Sequence, residues 1–434
     1  MNWRDIYKQK LTTAEEAVKV IKSGDRVVPG HAASESEYLV DHMVRRYKEL
    51  ENVTIVEGVS LGSSPYCKPE MEGHFVLNSM FLGPHTRQAV WEKRGDFLPL
   101  NFHQFPRAFR EGLIPIDVFL TMVSPPDKFG YCSLGISVDH SKQLIESAKI
   151  VIAEVNPNMP RTYGESLVHV SKFDYFVEND WPLLELQRFA SKDRVTDAIG
   201  RNVASLINDG DTLQMGAGTV PDALLYYLKE KNDLGIHTEM FSDGIIELIE
   251  SGIINGKKKT LWPEKIVATF CEGTKKIYDF VHENPVFQFM PVDYVNDPRT
   301  IAQNDNMVAI NQAMEIDLLG QVASESIATK QYSGIGGQLD FIRGSAMAHN
   351  GRPVIVLPST AKNGTISRIK CQMNPGTPLS DTRNDVHYVV TEYGVANLFC
   401  KTNTERAREL IEIAHPDFRS ELIRQYKDIY GRVL

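Results

Sequence analysis

A short segment near the N-terminus recurs later in the chain, and this repeat constrains the fold more than any other sequence feature. Val20-Ile-Lys-Ser-Gly-Asp-Arg-Val-Val-Pro-Gly30 corresponds to Leu206-Ile-Asn-Asp-Gly-Asp-Thr-Leu-Gln-Met-Gly216, at a constant offset of 186 (206 − 20). In each copy the pattern predicts a helix that ends at Gly-Asp, then a short strand and a small-residue loop that leads into another helix. We therefore expect two related α/β domains; the alternative is that a common helix–strand motif occurs twice by chance.

Short apolar runs alternate with longer segments of helical periodicity along the whole chain, which is typical of parallel α/β sheets. A Pro-containing stretch at residues 180–192 lies between the two copies of the repeat, so we place an N-terminal domain at 1–185 and a C-terminal domain at 191–434. The clearest predicted strands are Arg26–Pro29, Val53–Glu57, Val118–Val123, Ile150–Glu154, Thr212–Met215, Ile266–Phe270, Met307–Ile310, Pro353–Leu357 and His387–Thr391.

Composition is that of a folded globular protein. The 434 residues exceed one ordinary core, and the hydrophobic fraction of 42% and charged fraction of 24% are close to globular averages. The clearest apolar runs fall far short of the ~20 residues that a membrane span needs, and the N-terminus lacks the apolar stretch of a signal peptide. We therefore expect no membrane association and a cytoplasmic location.

The five cysteines lack a CxxC pair and are expected to be free thiols, without disulfides or a structural metal.

The charge balance argues against nucleic acid as a partner. Fifty-six acidic residues against 47 basic residues leave a formal charge of −9, and the longest basic run is only the Lys257–Lys259 patch. The electrostatic footprint of a nucleic-acid-binding protein is therefore missing. A local basic site for a phosphorylated small molecule stays open.

A glycine-rich turn follows the predicted strand at 212–215. Gly216 and Gly218 allow backbone N–H groups to approach a ligand closely, and Pro221 suits the first turn of the next helix, whose N-terminus attracts anions. A GxG turn more often marks tight packing than phosphate binding. It also lacks the third glycine of a dinucleotide fingerprint, which makes a nicotinamide site a poor alternative.

Glu239 lies 23 residues after Gly216 (239 − 216), in a segment that reads as another short strand. A carboxylate at a strand end beside the glycine loop can act as a general base or a nucleophile. Alternatively, Glu239 caps the following helix or pairs with a neighbouring cation.

Two loops of the C-terminal half and one of the N-terminal half are further candidates. Gly334, Gly336 and Gly337 suit an oxyanion hole or a wall against a ligand, with a tight turn as the alternative. Lys362 lies in a polar loop after a strand, where it meets a phosphate or is simply solvated. His31 occupies the repeat's counterpart of Ala217, so this histidine is either a site residue or a structural one.

The combined motifs resemble those of the acetyl-CoA hydrolase/transferase family of CoA-transferases, over essentially the whole chain. Thr382 departs from the pattern, because relatives carry serine before the Arg-Asn-Asp motif, although the hydroxyl is retained. The motifs are Gln214-x-Gly-x-Gly-x-x-Pro-Asp222, Gly235-Ile-His-x-Glu-Met240, Gly334-x-Gly-Gly-Gln-x-Asp-Phe341, Thr382-Arg-Asn-Asp385, Thr391-Glu-Tyr-Gly394 and His415-Pro-Asp-Phe418.

This resemblance implies two similar, open, mostly parallel α/β domains with the active site between them. It implies that Glu239 is the nucleophile of a ping-pong transfer through a glutamyl-CoA thioester, with coenzyme A as a substrate and neither a metal nor a bound cofactor. A homodimer is the expected assembly. The residues expected to contact CoA are Gly216, Ala217, Gly218, Thr219, Val220, Gly336 and Gly337, to which we add Lys362.

The acid substrate is expected on the N-terminal domain, with His31 and Gln214 on the acid side. Because a polar His31 can hydrogen-bond a hydroxyl or a carboxylate, we rank 4-hydroxybutyrate ahead of butyrate as the acid that exchanges CoA with acetyl-CoA. A butyryl-CoA:acetate exchange and hydrolysis of acetyl-CoA on the same scaffold are the nearest alternatives. A nicotinamide-linked dehydrogenase and a non-catalytic nucleotide-binding module belong to different classes.

Overall fold

The computed structural model describes residues 2–186, 193–216 and 218–434. The first stretch of the chain alternates strands and helices. Its helices are α1 (Trp3–Lys10), α2 (Ala14–Ala17), α3 (Glu37–Arg45), α4 (Pro84–Trp91), α5 (Phe105–Arg110) and α6 (Ser141–Ser147). Its strands are β1 (Arg26–Val28), β2 (Val53–Glu57), β3 (Phe75–Ser79), β4 (Gly95–Phe97), β5 (Val118–Val123), β6 (Tyr131–Ser133), β7 (Ile150–Val155), β8 (Leu167–His169) and β9 (Tyr175–Glu178).

The remainder of the chain repeats this alternation. Its helices are α7 (Arg194–Ala204), α8 (Thr219–Tyr227), α9 (Ile245–Glu250), α10 (Lys275–Val281), α11 (Val292–Val295), α12 (Pro298–Ile301), α13 (Gln338–Met347), α14 (Asn403–Glu412) and α15 (Pro416–Tyr430). Its strands are β10 (Thr212–Met215), β11 (Gly235–Ile236), β12 (Met240–Phe241), β13 (Ile266–Ala268), β14 (Phe270–Cys271), β15 (Phe287–Phe289), β16 (Met307–Gln312), β17 (Glu315–Asp317), β18 (Val322–Ala323), β19 (Ser326–Ile327), β20 (Lys330–Gln331), β21 (Arg352–Val356), β22 (Thr360–Ala361), β23 (Ile366–Ser367), β24 (Ile369–Lys370), β25 (Tyr388–Thr391) and β26 (Gly394–Asn397). Short 3-10 turns occur at Val18–Val20, Tyr47–Glu49, Pro65–Cys67, Pro69–Met71, Phe102–Gln104, Val170–Lys172 and Leu228–Glu230.

Two main sheets organise these elements. The first has the order β4-β3-β2-β1-β5-β7-β9, and all of its strand pairs are parallel. The second has the order β11-β10-β16-β21-β25-β26 and is parallel except for the final β25–β26 pair. The expectation of two open, mostly parallel α/β sheets is therefore confirmed. Eight of the nine predicted strands lie in these sheets, each within two residues of its predicted bounds.

The ninth predicted strand, Ile266–Phe270, is wrong as a single sheet strand. It divides into β13 and β14, which belong to separate two-stranded sheets. Its continuous apolar character reflects burial, since Ile266, Val267, Ala268 and Phe270 are all at most 3% exposed. Burial alone does not say which strand is the hydrogen-bonding neighbour.

The chain forms two compact units. The first comprises Met1–Gln187, Val267–Val295 and Gln331–Gly336, and the second comprises Arg188–Ile266, Asn296–Lys330 and Gly337–Leu434. Two segments from the later part of the chain therefore belong to the first unit. The sequence-based boundary between 185 and 191 stays a prediction, and the part of the 180–192 linker at 187–192 lies outside the described residues.

The local geometry of the repeat is the same in both copies. Gly24 and Gly210 have φ angles of +81° and +82°, and each accordingly adopts the left-handed conformation that favours glycine. Asp25 and Asp211 each accept a hydrogen bond through Oδ2 from the backbone N–H three residues earlier, at 2.8 and 2.6 Å. The strand that follows is an interior strand of its sheet in both units. The two Gly-Asp pairs, 186 residues apart, therefore form the same turn in both units.

Each unit has its own apolar core. In the first, Leu39 and Met43 of α3 pack with strand residues such as Ile55 and Leu120. In the second, Ile355, Val389 and Leu410 belong to the corresponding cluster. Among the cysteines, Cys400 is exposed, whereas the buried ones are Cys67, Cys132, Cys271 and Cys371.

Candidate active site

Glu239 lies between the short strands β11 and β12, beyond the carboxyl end of β10. The hydroxyl of Thr238 donates to the carbonyl groups of Met215 and Met240, at 3.2 and 3.0 Å, and His237 N–H donates to Leu213 O at 3.1 Å. Glu239 is therefore carried by a segment that is bonded to the end of an interior sheet strand. Carboxyl ends of parallel strands are where open α/β sheets bind ligands.

The amide of Asn296 bonds the Glu239 carboxylate. Asn296 is fully buried, and its Nδ2 donates to Glu239 Oε2 at 2.7 Å. An amide donor at this distance from a carboxylate makes a charge-assisted hydrogen bond. Sequence analysis missed Asn296, because an Asn in Val-Asn-Asp-Pro reads as a turn before a helix.

The backbone at Gly337 touches the same carboxylate. A Cβ at this position would overlap Glu239 Oε2 and Asn296 Nδ2, so any other residue would displace these side chains. Gly337 is the N-cap residue of α13. Further along the same helix, Gly344 lets α13 pack closely on α12, because a Cβ there would overlap Ile301. Asn296 and Gly337 therefore lie next to each other at the same carboxylate oxygen, Glu239 Oε2.

The other glycines of this motif have a different role. Gly334 belongs to the first unit, where a Cβ would overlap the carbonyl oxygen of Met80. Gly336 has a φ of +54°, and its carbonyl accepts from Phe102 N–H at 3.3 Å. Gly334 therefore allows close packing and Gly336 a left-handed turn, whereas Gly337 alone of the three has its Cβ position taken up by the Glu239 carboxylate. The predicted contacts of Gly336 and Gly337 with CoA stay predictions.

The Gly216 turn borders a pocket inside the second unit. A Cβ on Gly216 would meet nothing within 4 Å, whereas Gly218 has a φ of +141° and serves as the N-cap of α8. Thr219 is exposed and Val220 is buried in the first turn of α8, while Ala217 lies outside the described residues. The pocket is lined by Met215, Gly216, Pro221, Asp222, Leu225, Ile236, Thr238, Met240, Phe241, Ser242 and Ile245, so Glu239 is flanked in sequence by two lining residues.

Two predicted site residues of the second unit have other surroundings. Gln214 is buried, and its side-chain amide forms a reciprocal pair with Asn311, at 2.9 and 3.3 Å. Lys362 is exposed at the tip of the β22–β23 hairpin, with a φ of +48°. The structure does not place Lys362 among the residues that line the Gly216 pocket. The substrate roles of both residues stay predictions.

His31 is buried in the first unit. Its Nδ1 lies 2.9 Å from Asp139 Oδ2, and its ring packs edge-on against those of His140 and Phe270, with centroids 4.9 and 5.0 Å apart. Burial tends to raise the pKa of the Asp139 carboxyl, but the charges and hydrogen bonds of its histidine neighbours outweigh this and hold the pKa well below its usual range. An ionised Asp139 accepts a hydrogen bond from the Nδ1–H group of His31, which fixes the orientation of the His31 ring.

The same cluster is the place in the described residues where a metal ion would find ligands. His31, Asp139 and His140 each offer one ligand atom, and these atoms lie within 4.8 Å of one another. Burial lowers the pKa of His140 to about 4, which keeps its imidazole neutral, but Asp139 is already bonded by His31, Ser137 and Ser141. The donor set fits a metal in type, and its carboxylate is already satisfied by protein hydrogen bonds.

Two buried carboxyl groups accompany this cluster, one in the loop between β1 and α3 and one at the last residue of β2. Glu35 accepts from Ser60 Oγ at 2.6 Å, and Glu57 accepts from the Tyr66 hydroxyl at 2.6 Å. Burial raises the pKa of Glu35 to about 7 and that of Glu57 to about 8, against the lowering effect of these hydrogen bonds. Sequence reasoning missed both, because an isolated Glu near a strand gives no sign of its burial.

Comparison with known proteins decides the class of this site. Residues 1–185 match the acetyl-CoA hydrolase/transferase N-terminal domain, and residues 273–426 match the acetyl-CoA hydrolase/transferase C-terminal domain. The chain belongs to this family. The resemblance found from the sequence motifs is confirmed, as is the expectation of an enzyme of the CoA-transferase class.

Relatives and solved structures match along almost the whole chain. A 4-hydroxybutyrate coenzyme A transferase of Clostridium kluyveri is 53% identical over 98% of this chain and 99% of its own. RipA from Yersinia pestis has a crystal structure with a TM-score of 0.94 and 39% identity, covering 99% of this chain and all of its own. A 4-hydroxybutyrate CoA-transferase from Porphyromonas gingivalis matches with a TM-score of 0.85 and 42% identity, over 98% of this chain and all of its own. Family membership favours CoA-ester chemistry over the dehydrogenase and the non-catalytic module.

Across the described residues, no helix combines the length and the apolar character needed to cross a membrane.

Proposed function

We propose that this enzyme moves CoA between acetyl-CoA and a short-chain carboxylic acid, with 4-hydroxybutyrate as the preferred acid. The observation that carries the proposal is the Glu239 carboxylate, held by Asn296 and backed by the Gly337 backbone at a strand end. The names of the two 4-hydroxybutyrate CoA-transferase relatives support the choice of acid.

The reaction balances without a metal or an energy source. A Glu239 oxygen attacks the thioester carbonyl of acetyl-CoA, and the CoA thiolate leaves, which gives an acetyl-glutamyl anhydride. The thiolate then attacks the glutamyl carbonyl, releasing acetate and forming a glutamyl-CoA thioester. The incoming acid's carboxylate displaces CoA from this thioester, and CoA attacks the acyl side of the new anhydride to give the new acyl-CoA and free Glu239.

The residues around Glu239 suit these steps. Each attack on the glutamyl carbonyl creates an oxyanion, and Asn296 Nδ2 is already at hydrogen-bonding distance from Glu239 Oε2. The Gly216 turn and the N-terminus of α8 offer backbone donors for CoA, because the first N–H groups of a helix favour negative charge.

Trapping of the intermediate tests the mechanism. Borohydride reduction after incubation with acetyl-CoA should modify the wild-type enzyme at Glu239, and Glu239→Ala should be neither modified nor active. Glu239→Asp keeps the charge but withdraws it by one methylene, so transfer should fall steeply. Near-normal transfer by Glu239→Ala would overturn the proposal, and thiol release that needs no acid acceptor would favour the hydrolase.

The acid side is tested by changing His31 without leaving Asp139 unpaired. His31→Ala would bury an uncompensated carboxylate and destabilise the fold by about 3–5 kcal/mol. His31→Asn keeps an N–H donor near the Nδ1 position. We expect this variant to lose rate with 4-hydroxybutyrate more than with butyrate; equal rates for both acids, unchanged from wild type, would make His31 structural.

The remaining parts of the proposal have separate measurements. Lys362→Ala is expected to raise the KM for acetyl-CoA, and an unchanged KM would remove this residue from the CoA site. Activity that survives exhaustive chelation would support a metal-free reaction. The homodimer is tested by light scattering, for which a monomer would give 48.9 kDa. The cytoplasmic location is tested by cell fractionation.

A further inference from the structure

Gln338 connects the Gly337 backbone to a buried carboxyl group that the transfer reaction does not use. Gln338 is the first residue of α13, directly after the N-cap Gly337. Its Nε2 donates to Asp381 Oδ2 at 2.5 Å and to Ser324 Oγ at 2.7 Å. Both amide protons of Gln338 are therefore used to hold the first turn of α13.

Asp381 has little other support for a negative charge. It is fully buried, and no described residue donates a hydrogen bond to its Oδ1. The charged groups that act on it are Asp385 and Glu325, which oppose its ionisation, and Arg343, which favours it; Asp340, also in the first turn of α13, is buried as well. Burial is the largest effect, and it raises the pKa of Asp381 to about 7.

We propose that Asp381 is a positioning residue, which acts through Gln338 to hold Gly337 against the catalytic glutamate and makes transfer depend on its ionisation. The ionised carboxylate accepts a charge-assisted hydrogen bond from Gln338, about twice as strong as the bond to the neutral acid. Protonation weakens this anchor at a turn whose backbone lies against the Glu239 carboxylate. This inference rests on the proposed role of Glu239.

The test is the pH dependence of glutamyl-CoA formation in single turnovers. With a pKa of about 7, the ionised fraction of Asp381 falls about tenfold between pH 8 and pH 6, so the wild-type rate should fall by a similar factor. In Asp381→Asn the oxygen still accepts from Gln338 but no longer titrates, and the fall should shrink to less than about threefold. An unchanged ratio in this variant would overturn the inference.

Two further variants keep the test decisive if Asp381→Asn does not fold. Asp385→Asn removes a charge that opposes the ionisation of Asp381, so the acid limb of the pH–rate profile, the part where the rate falls with falling pH, should move to lower pH. The matched control is Asp317→Asn, another buried Asp that accepts from a Gln amide, Gln321, on its own turn. Its acid limb should stay in place. Failure to trap glutamyl-CoA in any protein would refute the reaction itself, whereas trapping with an unmoved limb in Asp385→Asn would refute only the role of Asp381.

Discussion

Replacing Asn296 by alanine removes a buried amide donor that bonds the Glu239 carboxylate within the second unit. A donor aimed at an oxyanion contributes roughly 2.7–4 kcal/mol of transition-state stabilisation, which corresponds to a factor of about 10²–10³ in kcat. Here Asn296 Nδ2 already bonds the resting carboxylate at 2.7 Å. Only the gain in strength of this hydrogen bond between the resting state and the transition state accelerates the reaction. We therefore expect the lower end, a loss of about 100-fold in kcat, with a small change in KM.

The assay is steady-state transfer from acetyl-CoA to 4-hydroxybutyrate, together with the rate of borohydride trapping. Asn304→Ala is the matched control, because Asn304 is equally buried in the same unit but donates to the backbone carbonyl of Ile301 at 3.3 Å. Both variants lose a buried amide, so both should lower the melting temperature. A kcat for Asn296→Ala within threefold of the Asn304→Ala value would refute the oxyanion role.

Three other expected outcomes follow from the same geometry. Gly216→Ala adds a methyl group into open space, so the melting temperature should hold while the KM for acetyl-CoA rises several-fold; an unaltered KM would make this glycine a turn residue only. Gly337→Ala drives its methyl group into the Glu239 carboxylate, and kcat should fall by at least the factor expected for Asn296→Ala, as stopped-flow transfer would show. The raised pKa of Glu57, about 8, means that its stability contribution is present at low pH and is lost as the pH rises through that value, so the melting temperature should decline from pH 5 to pH 8. Glu57→Gln should flatten this decline in scanning calorimetry, and an identical slope would contradict the assignment.

The sequence predicts the sheets well because their interior strands are continuous apolar runs beside Gly-Asp or glycine turns. β5, buried at all six positions, is the clearest case. By contrast, β3 alternates buried and half-buried residues, and β4 has only three residues, none of them fully buried. Strands of this kind, at and next to a sheet edge, carry a weaker pattern, and they were missed.

Within the candidate site, the position of Glu239 at a strand end was predictable, because the strand and glycine pattern that precedes it is visible in the sequence. The contact of Asn296 was not predictable, since it depends on how α12 packs against α13. Gly344 allows this packing, but a single glycine in the sequence does not indicate it. The buried state of Asp381 is likewise a tertiary property, because a Ser-Asp-Thr-Arg string reads as an exposed loop. Local sequence therefore singled out Glu239 as the candidate nucleophile, a role that stays a prediction, and three-dimensional packing supplied the groups that surround it.

The cysteines carry a consequence for an enzyme that handles thioesters. A thiol exchanges acyl groups only as its thiolate, and burial raises the pKa of Cys132 to about 12 and that of Cys371 to about 11. These sulfur atoms therefore stay protonated at neutral pH and do not compete with CoA for an activated acyl group. Cys400 alone among the five is exposed, so a colorimetric thiol reagent used to count released CoA should register one fast-reacting protein sulfur per chain.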